Sequence, residues 1–351
     1  MAVTRLHNER LLGPEDVEPS RDDLEVVGVF NPGAIEVEGE VVLMVRIAER
    51  PRERREGETA LPRWDRDGNI ATDWMPDSAL EFLDPRVVRL RAQRTIRLTQ
   101  TSHIRVFRSP DGLKLQETSW RLEPRGQYET FGVEDPRIVR LGDRFYVTYV
   151  AVSAHGAATA LASTKDFRYF ERHGIIFWPE NKDVILFPEQ IGGNYVALHR
   201  PNPKMEFSPP GIWLARSPDL IHWGAHRALH AGESAWEGGK IGGGTPPVRS
   251  DQGWLEIYHG KTVSAAEGEV GTYSAGVLLL DAEEPHKVLG RSPNPIMTPQ
   301  TDFEQSGFVP NVVFPTGIVP RAGRVLVYYG AADTCTGVVE LSIDDIVSAA
   351  T

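Results

Sequence analysis

Phe131-Gly132-Val133-Glu134-Asp135-Pro136-Arg137-Ile138 is the stretch of this chain from which the fold is best predicted. It sets two carboxylates and a guanidinium beside a proline, directly before a short apolar run. A polar turn at Gly142-Asp143 and a second apolar run over residues 144–150 follow, which is the pattern of a β-hairpin. Acidic side chains at the mouth of a hairpin can transfer protons when burial or neighbours tune them. An isolated Glu-Asp-Pro is more often a salt-bridged turn, but here the surrounding pattern recurs.

The recurring unit is a proline, a short strand, a polar turn and a strongly apolar strand. Its other copies begin at Asn31-Pro32, Phe187-Pro188, Pro246-Pro247 and Phe314-Pro315. Copies spaced by about 50 to 100 residues indicate a repeat architecture. A second pattern, a small residue followed by Asp, alternates with the first and predicts outer hairpin turns at Ser109-Pro110-Asp111, Thr164-Lys165-Asp166 and Ser217-Pro218-Asp219.

Alternating inner and outer hairpins describe four-stranded units, and a radial array of such units is a β-propeller. We therefore predict an all-β fold, with a single five-bladed β-propeller over residues 26–351 and a polar N-terminal arm over residues 1–25. A pair of β-sandwiches, or a sixth blade within residues 33–135, are the alternatives. The charged run 50–56 is interpreted as a solvated insertion, with a lid over the mouth as the alternative. Residues 342–347 suggest a helical turn or a closing strand.

Composition excludes several classes of function. The net charge of −11 argues against a general nucleic-acid binder, which needs a basic face. No run of about 18 apolar residues predicts a membrane span, and the first residues lack the apolar core of a signal peptide. A single cysteine, Cys335, excludes an internal disulfide, so a cytoplasmic location is expected. No phosphate-binding Walker loop or serine nucleophile elbow occurs, and His222 and His226 lack a third metal ligand, so no metal is expected.

In a propeller the ends of the innermost strands share one funnel, so residues that are distant in sequence should meet there. The repeat brings together Asn31, Arg46, Asp135, Arg200, Lys240, His259, Asn311 and Asp333. Carboxylates with Asn and Arg are typical of a sugar site, whereas a cluster of Arg, Lys and His suits an oxyanion such as phosphate. Taken singly, His259 could be a strand-end histidine and Asp333 a turn cap.

Several motifs, in one order, resemble glycoside hydrolase family 130, the mannoside phosphorylases and related β-mannosidases. They are Gly132-Val133-Glu134-Asp135-Pro136-Arg137-Ile138, Leu186-Phe187-Pro188-Glu189, Leu198-His199-Arg200-Pro201, Tyr258-His259-Gly260, Val309-Pro310-Asn311-Val312-Val313-Phe314-Pro315 and Tyr328-Tyr329-Gly330-Ala331-Ala332-Asp333. The resemblance extends over residues 28–345 and implies a five-bladed propeller, in agreement with the repeat count.

The resemblance implies an inverting reaction in which inorganic phosphate attacks the anomeric carbon of a β-mannoside and releases α-mannose 1-phosphate. It assigns the acid to Asp135, acting through a sugar hydroxyl, while phosphate replaces the base-activated water of an inverting hydrolase. It assigns phosphate to Arg200, Lys240 and His259, together with Lys182 and Asp183, where the family often has Arg-Asn. It assigns the mannoside to Asn31, Arg46, Glu134, Asn311 and Asp333, with Tyr273 nearby. No cofactor is expected beyond phosphate as co-substrate.

The choice between phosphorylase and hydrolase rests on the basic cluster, which the family's hydrolases lose. Because this chain keeps most of it, a phosphorylase is favoured; in a hydrolase Asp183 or Glu189 would be the base. A propeller that only binds glycans is a third hypothesis, but it would not need the cluster. Short substrates are expected, with β-1,2 linkages favoured over β-1,4 by Asn181-Lys182-Asp183. A monomer and a homo-oligomer both fit the sequence, and no nucleic-acid or membrane partner is expected.

Overall fold

A computed structural model describes residues 3–202, 207, 210–264 and 270–351. Up to residue 122 the strands are β1 His7–Leu12, β2 Leu24–Val37, β3 Glu40–Pro51, β4 Glu58–Trp64, β5 Ile70–Pro76, β6 Leu80–Asp84, β7 Val87–Leu90, β8 Ile96–Leu98, β9 Thr101–Ser109 and β10 Gln116–Leu122. Then come β11 Gly132–Leu141, β12 Arg144–Ser153, β13 Gly156–Thr164, β14 Glu171–Phe177, β15 Asn181–Leu186, β16 Tyr195–Pro201, β17 Ile212–Ser217 and β18 Gly224–His230. The last are β19 Lys240–Gly242, β20 Val248–Ser250, β21 Gly253–Lys261, β22 Tyr273–Leu280, β23 Val288–Arg291, β24 Val313–Arg321, β25 Arg324–Ala331 and β26 Cys335–Ser342.

In the part of the chain that the structure describes, helical structure is confined to short segments. The α-helices are α1 Asp302–Gln305 and α2 Ile343–Ala350, and single 3₁₀ turns occur at Pro14–Asp16 and Asp77–Ala79. The all-β prediction is therefore confirmed. Ser342 caps α2 by accepting a hydrogen bond from the Asp345 amide, so the C-terminal segment is a helix rather than a closing strand. Within the described residues, neither α-helix is long and apolar enough to cross a bilayer.

Five antiparallel sheets carry most of the chain. In pairing order they are sheet 1 (β2, β3, β9, β10), sheet 2 (β11 to β14), sheet 3 (β15 to β18), sheet 4 (β19, β21, β22, β23, with β20 also on β21) and sheet 5 (β24, β25, β26, β1). Strand β1 lies within the segment interpreted as an N-terminal arm, and it forms the edge of sheet 5 against β26. The boundary between arm and domain stays a prediction.

The apolar cores lie between neighbouring sheets. One cluster of buried side chains joins sheets 1 and 2, a second joins 2 and 3, and a third joins 3 and 4. A fourth joins sheets 4 and 5, and a fifth joins sheet 5 to sheet 1. Each sheet is therefore held on two sides by apolar burial, which is the dominant stabilising term in folding.

The inner hairpins follow the sequence prediction in four places and depart from it in one. Hairpins β2–β3, β11–β12, β20–β21 and β24–β25 form as predicted. In sheet 3 the prediction was wrong, because the first strand is β15 and Phe187-Pro188 lies in the loop after it. In sheet 4, Pro246-Pro247 separates two short strands, β19 and β20, which both pair with β21. Proline has no amide hydrogen to donate to a ladder, so it falls between these strands.

The outer turns form as predicted from their Asp residues. The Oδ1 atom of Asp111 accepts hydrogen bonds from the amides of Leu113 and Lys114 at 2.9 and 2.8 Å. Asp219 Oδ1 accepts hydrogen bonds from the amides of Ile221 and His222 in the same way. These side chains satisfy turn amides that the strands leave unpaired, which is the reason Asp favours such positions.

The long gap between the first two inner hairpins contains two small additional sheets, β4–β5 and β6–β7–β8. The charged run 50–56 begins at the end of β3, where Arg50 and Arg54 both pair with Glu25. Most of the run is exposed, in agreement with a solvated insertion. The sheet β6–β7–β8 instead reaches the site described below.

Candidate active site

Three innermost strands interrupt their pairing at equivalent points and turn one polar side chain into a shared cavity. The register of β2, β11 and β15 against their neighbours shifts immediately around Asn31, Asp135 and Asp183. Each of these residues has a left-handed backbone, with φ of 50°, 50° and 56°. Asn and Asp tolerate this conformation better than most other side chains, and a bulge re-aims the residue that it carries. The repeat thus presents equivalent polar groups from three sheets.

The cavity is small, with a volume of about 200 Å³. It is lined by every residue that the sequence assigned to the site except Asn311: Asn31, Arg46, Glu134, Asp135, Lys182, Asp183, Arg200, Lys240, His259, Tyr273 and Asp333. The lining also includes Arg86, Val87, Leu98, Gln100, Val312 and Phe314. Ionisable groups from all five sheets therefore share one cavity.

Asp135 and Glu134 share one buried arginine at the first corner of the cavity. Arg46 donates from Nη1 to Asp135 Oδ1 at 3.1 Å and from Nη2 to Glu134 Oε1 at 2.8 Å. Asn31 Nδ2 also donates to Asp135 Oδ1, at 2.8 Å. Within the described part of the chain, Asp135 Oδ2 has no hydrogen-bond donor. One oxygen is thus fixed by two donors, and the other is free to exchange a proton with a ligand.

Glu134 is held as a carboxylate beside this acid. Burial acts to raise the pKa of Glu134, but the charges of Arg46 and Lys182 outweigh burial and hold that pKa below its ordinary value. Lys182 Nζ lies 3.4 Å from Glu134 Oε2. Glu134 therefore serves as an anionic acceptor for hydroxyl groups or cations rather than as a proton donor.

Asp183 is enclosed by cations at the opposite corner. Arg200 donates from Nε and Nη2 to Asp183 Oδ2 at 2.8 and 2.7 Å, and Arg137 Nη2 lies 3.5 Å from Oδ1. All three side chains are buried. Burial raises the pKa of Asp183, but the attraction of Arg200 and the other cations is larger and sets that pKa well below its usual range. Asp183 is therefore a permanent anion and a poor base.

His259 and Lys240, the remaining basic side chains at this corner, carry less positive charge than exposed histidine and lysine would. Burial lowers the pKa of His259 to about 3, so its imidazole is neutral at neutral pH. The positive charge of Arg200, followed by burial, holds the pKa of Lys240 well below its ordinary value. A bound anion would reverse this, because it compensates Arg200 and favours the protonated amine. The electrostatics of this corner therefore favour the binding of an oxyanion.

A comparison with known families identifies the chain. The sequence model of the family described as β-1,4-mannooligosaccharide phosphorylase, glycoside hydrolase family 130, matches residues 77–351. The chain belongs to glycoside hydrolase family 130. The resemblance seen in the motifs is therefore confirmed.

Individual relatives of this family 130 member match over most of its length. It is 39% identical to the β-1,2-mannobiose phosphorylase of Listeria innocua, over 99% of this chain and 98% of that protein. It is 38% identical to a 1,2-β-oligomannan phosphorylase of Thermoanaerobacter sp., over 63% of this chain and 71% of that protein. A solved structure of the Listeria innocua enzyme in complex with β-1,2-mannobiose superposes with a TM-score of 0.92 at 37% identity, covering 98% of this chain and 99% of that one.

Among the described residues that line the cavity, sequence reasoning missed one ionisable group of this family 130 chain, Arg86. It follows β6 in the additional three-stranded sheet and donates from Nη1 to Asp333 Oδ2 at 2.7 Å, while its other nitrogens bind Asp84. A signal was present, because Asp84-Pro85-Arg86 and the four residues after it repeat the pattern of Asp135-Pro136-Arg137. The insertion thus contributes a cation that orients Asp333 in the cavity.

Arg137 was quoted in the central motif but given no role in the site. Its Nη1 donates to the Asp135 carbonyl at 2.8 Å, and its Nε donates to the Gly244 carbonyl at 3.2 Å. With Nη2 facing Asp183, this buried guanidinium links the bulges of sheets 2 and 3 to sheet 4. Arg137 therefore positions both corners of the family 130 site without lining its cavity.

Asn311 does not line the cavity. It lines a neighbouring depression with Pro85 and Phe308, and its carbonyl accepts a hydrogen bond from the Tyr273 amide at 3.0 Å. Its backbone is left-handed, with φ of 60°, as in the three bulges. Asn311 therefore fixes the strand that carries Tyr273, and its assignment to the substrate stays a prediction.

No metal centre is seen in the residues that the structure describes. In that part of the chain, no group of three or more His, Cys, Asp or Glu side chains has the arrangement of a metal site. His222 pairs with Asp219, and His226 contacts His199, so the two histidines of the sequence motif make separate contacts.

Proposed function

We propose that this chain is an inverting β-mannoside phosphorylase that cleaves short β-1,2-linked manno-oligosaccharides with inorganic phosphate and releases α-mannose 1-phosphate. The observation that carries the proposal is the pair of cations, buried Arg200 and half-buried Lys240, that lines the same cavity as Asp135. The β-1,2 linkage is favoured over β-1,4 because the relative that matches nearly the whole chain is named a β-1,2-mannobiose phosphorylase.

The geometry supports a division of labour between the two corners. Asn31, Arg46 and Asp333 bind hydroxyl groups of the mannose unit, and Arg200 with Lys240 holds phosphate beside its anomeric carbon. A phosphate oxygen forms the new bond to that carbon from the face opposite the glycosidic oxygen, so the configuration inverts as the old bond breaks. Asp135 Oδ2 supplies the proton that the leaving oxygen requires, through a sugar hydroxyl. Phosphate serves as the nucleophile, so a second catalytic carboxylate is not needed.

Hydrolysis on the same scaffold is the alternative, and the candidate bases argue against it. Asp183 lines the cavity, but its carboxylate accepts hydrogen bonds from Arg200. It is a weak base because this cation holds the pKa of Asp183 well below its usual range. Glu189 is exposed, lies in the loop between β15 and β16, and does not line the cavity. A glycan-binding protein without activity, the third hypothesis, would not need Arg200 and Lys240 in the same cavity as the carboxyl group of Asp135.

We infer that the five sheets form the five blades of one propeller, which includes β1 from the segment interpreted as an N-terminal arm. The support is that the apolar clusters join sheet 1 to sheet 2 and so on until sheet 5 joins sheet 1 again. The pairing of β1 with β26 would close the ring, as strand closure removes free edges. The same proposal includes a cytoplasmic location and a reaction that uses inorganic phosphate as co-substrate and no cofactor. A homo-oligomer remains compatible with it.

The deciding experiment is incubation of the purified protein with β-1,2-mannobiose and β-1,4-mannobiose, each with and without inorganic phosphate. We expect mannose 1-phosphate only when phosphate is present, and faster release from the β-1,2-linked disaccharide. Equal release of free mannose with and without phosphate would establish a hydrolase instead. Binding of the sugars without any product would favour the non-catalytic alternative.

A further inference from the structure

Glu256 is a buried carboxyl group that takes no part in the proposed chemistry. It lies on β21 of sheet 4, is inaccessible to solvent and does not line the cavity. Its Oε1 atom accepts a hydrogen bond from the Gly244 amide at 2.9 Å, and within the described residues its Oε2 atom has no hydrogen-bond partner. A carboxyl group buried with a single hydrogen bond costs stability, so its presence indicates a role other than stabilisation.

The segment that Glu256 holds has no side chains of its own. Gly243 and Gly244 are buried and lie between β19 and β20. A Cβ atom on Gly243 would lie 2.8 Å from the Asp183 carbonyl oxygen, and a Cβ atom on Gly244 would lie 2.2 Å from the Ile257 carbonyl oxygen. The space therefore admits only glycine. Because glycine leaves the backbone conformationally free, hydrogen bonds to the backbone must fix this segment.

The carbonyl groups of both glycines accept hydrogen bonds from Arg137. Its Nε atom donates to the Gly244 carbonyl at 3.2 Å, and its Nη2 atom donates to the Gly243 carbonyl at 3.3 Å. Its Nη1 atom donates to the Asp135 carbonyl at 2.8 Å, and Nη2 also lies 3.5 Å from Asp183 Oδ1. A guanidinium group is a rigid plane, so the positions of the two glycine carbonyls set its orientation toward both aspartates. A continuous path of hydrogen bonds therefore runs from the buried carboxyl group to the two bulges.

We propose that Glu256 is a positioning residue for the catalytic acid. It holds the Gly244 amide and so fixes the carbonyl groups that orient Arg137, and Arg137 in turn fixes the bulge that carries Asp135. The inference rests on the proposed function, in which Asp135 gives its proton to the leaving oxygen through a sugar hydroxyl. Glu256 acts through these residues and contacts neither sugar nor phosphate.

The charge of Glu256 affects the same path. Its ionisable neighbours in the described part of the chain are Arg137, from β11, and the hydroxyl group of Tyr258, on its own strand. Burial raises the pKa of Glu256 to about 8, so near neutral pH it is uncharged and Arg137 faces the carboxylate of Asp183. At higher pH an ionised Glu256 would compete with Asp183 for Arg137 and disturb the bulge of Asp135. Activity should therefore decline as Glu256 ionises.

Two variants of similar size separate the hydrogen bond from the charge. Glu256→Gln keeps an oxygen for the Gly244 amide, whereas Glu256→Met removes it. In steady-state kinetics on β-1,2-mannobiose with phosphate at about pH 6.5, kcat should fall about tenfold in Glu256→Met and stay within about twofold of wild type in Glu256→Gln. KM for mannobiose should change by less than about twofold in both variants, because the acid acts in the chemical step. At about pH 9, kcat of Glu256→Gln should exceed that of wild type by about three- to tenfold, since only wild type carries the ionised group.

Glu304→Met is the matched control for loss of a buried carboxyl group. Glu304 is equally inaccessible to solvent, but it accepts hydrogen bonds from Arg5, Tyr329 and two amides and does not line the cavity. This variant should melt below wild type and keep its kcat. A wild-type kcat in Glu256→Met, or an equal loss of kcat in Glu304→Met, would overturn the inference. If Glu256→Met does not fold, the pH profile of Glu256→Gln decides, and a decline at high pH identical to that of wild type would overturn it.

A measurement without turnover separates failure of this inference from failure of the proposed function. In protein labelled with ¹⁵N-arginine, NMR follows the exchange of the Arg137 Nε hydrogen with water, and the signal is identified by its absence from Arg137→Lys. Exchange should be at least about tenfold faster in Glu256→Met than in wild type and Glu256→Gln. If wild type releases no mannose 1-phosphate, the proposed function fails, but this pattern would still support the positioning of Arg137 by Glu256. Equal exchange in all three proteins would overturn it.

Discussion

Replacement of Asp183 by Asn removes a negative charge that two buried guanidinium groups share. Arg200 contacts it at 2.7 and 2.8 Å and Arg137 lies 3.5 Å away, while all three side chains are nearly inaccessible to solvent. Removal of one partner from such a buried pair costs about 3 to 5 kcal/mol, because the remaining charge stays desolvated. For a chain of this size that corresponds to a fall in Tm of roughly 4 to 7 °C.

Phosphate should restore part of this loss. In wild type, Asp183 repels a bound phosphate by about 3 kcal/mol for unit charges about 5 Å apart at an effective dielectric constant of about 20. Without that charge, the cations have no internal anion and should bind phosphate more tightly. The rise in Tm on adding phosphate should therefore be larger in Asp183→Asn than in wild type.

The assay is differential scanning calorimetry of both proteins with and without phosphate, at one pH and ionic strength. Asp143→Asn is the control, because Asp143 pairs with Lys165 at the surface, where ion pairs contribute little. If Asp183→Asn melted like this control, or gained no extra stabilisation from phosphate, the charge-compensating role of Asp183 would be refuted. If wild type released mannose without phosphate, and Asp183→Asn lost that release with its Tm unchanged, Asp183 would instead be assigned as a hydrolytic base.

Three further substitutions test other parts of the site. In Asp135→Asn the side chain keeps an oxygen that accepts from Asn31 and Arg46, but it has no acidic proton to donate. The kcat for mannose 1-phosphate release should therefore fall about 10² to 10⁴-fold, with the circular dichroism spectrum unchanged. A kcat near that of wild type would exclude Asp135 as the acid. Arg86→Ala removes the partner of Asp333 and should raise KM for mannobiose by about tenfold, in steady-state kinetics, with a smaller effect on kcat. Burial raises the pKa of Glu256 from 4.5 to about 8. Between these two pH values the folded chain keeps a proton on Glu256 that the unfolded chain has released. The free energy of unfolding therefore falls as the pH rises from 4.5 to 8. Glu256→Gln should therefore melt above wild type at pH 8 but not at pH 4.5, and a pH-independent difference between the two Tm values would contradict this.

Much of the fold and of the site could be predicted because the relevant signals are local. Asp-turns at Asp111 and Asp219 depend on amides two or three residues away, and the hairpin after Asp135 depends on adjacent apolar runs. The first strand of sheet 3 was misplaced because Phe187-Pro188 has the composition of the other copies, whereas the residue equivalent to Asp135 is Asp183, which has no proline after it. The backbone bulge, rather than the proline, is the feature that the copies share.

The sequence by itself determined the strand and turn pattern, the family, and the residue types that meet at the cavity, since each depends on short-range periodicity or on motifs. Only the tertiary structure decided which charged side chains of the cavity pair with one another. Arg86 reaches Asp333 across 247 residues, Arg137 joins two bulges, and Asn311 lies outside the cavity lining. These contacts depend on where each bulge shifts its ladder and on how an insertion packs against sheets formed far along the chain. Local pattern specifies neither, because long-range hydrogen bonds form only once the sheets have packed.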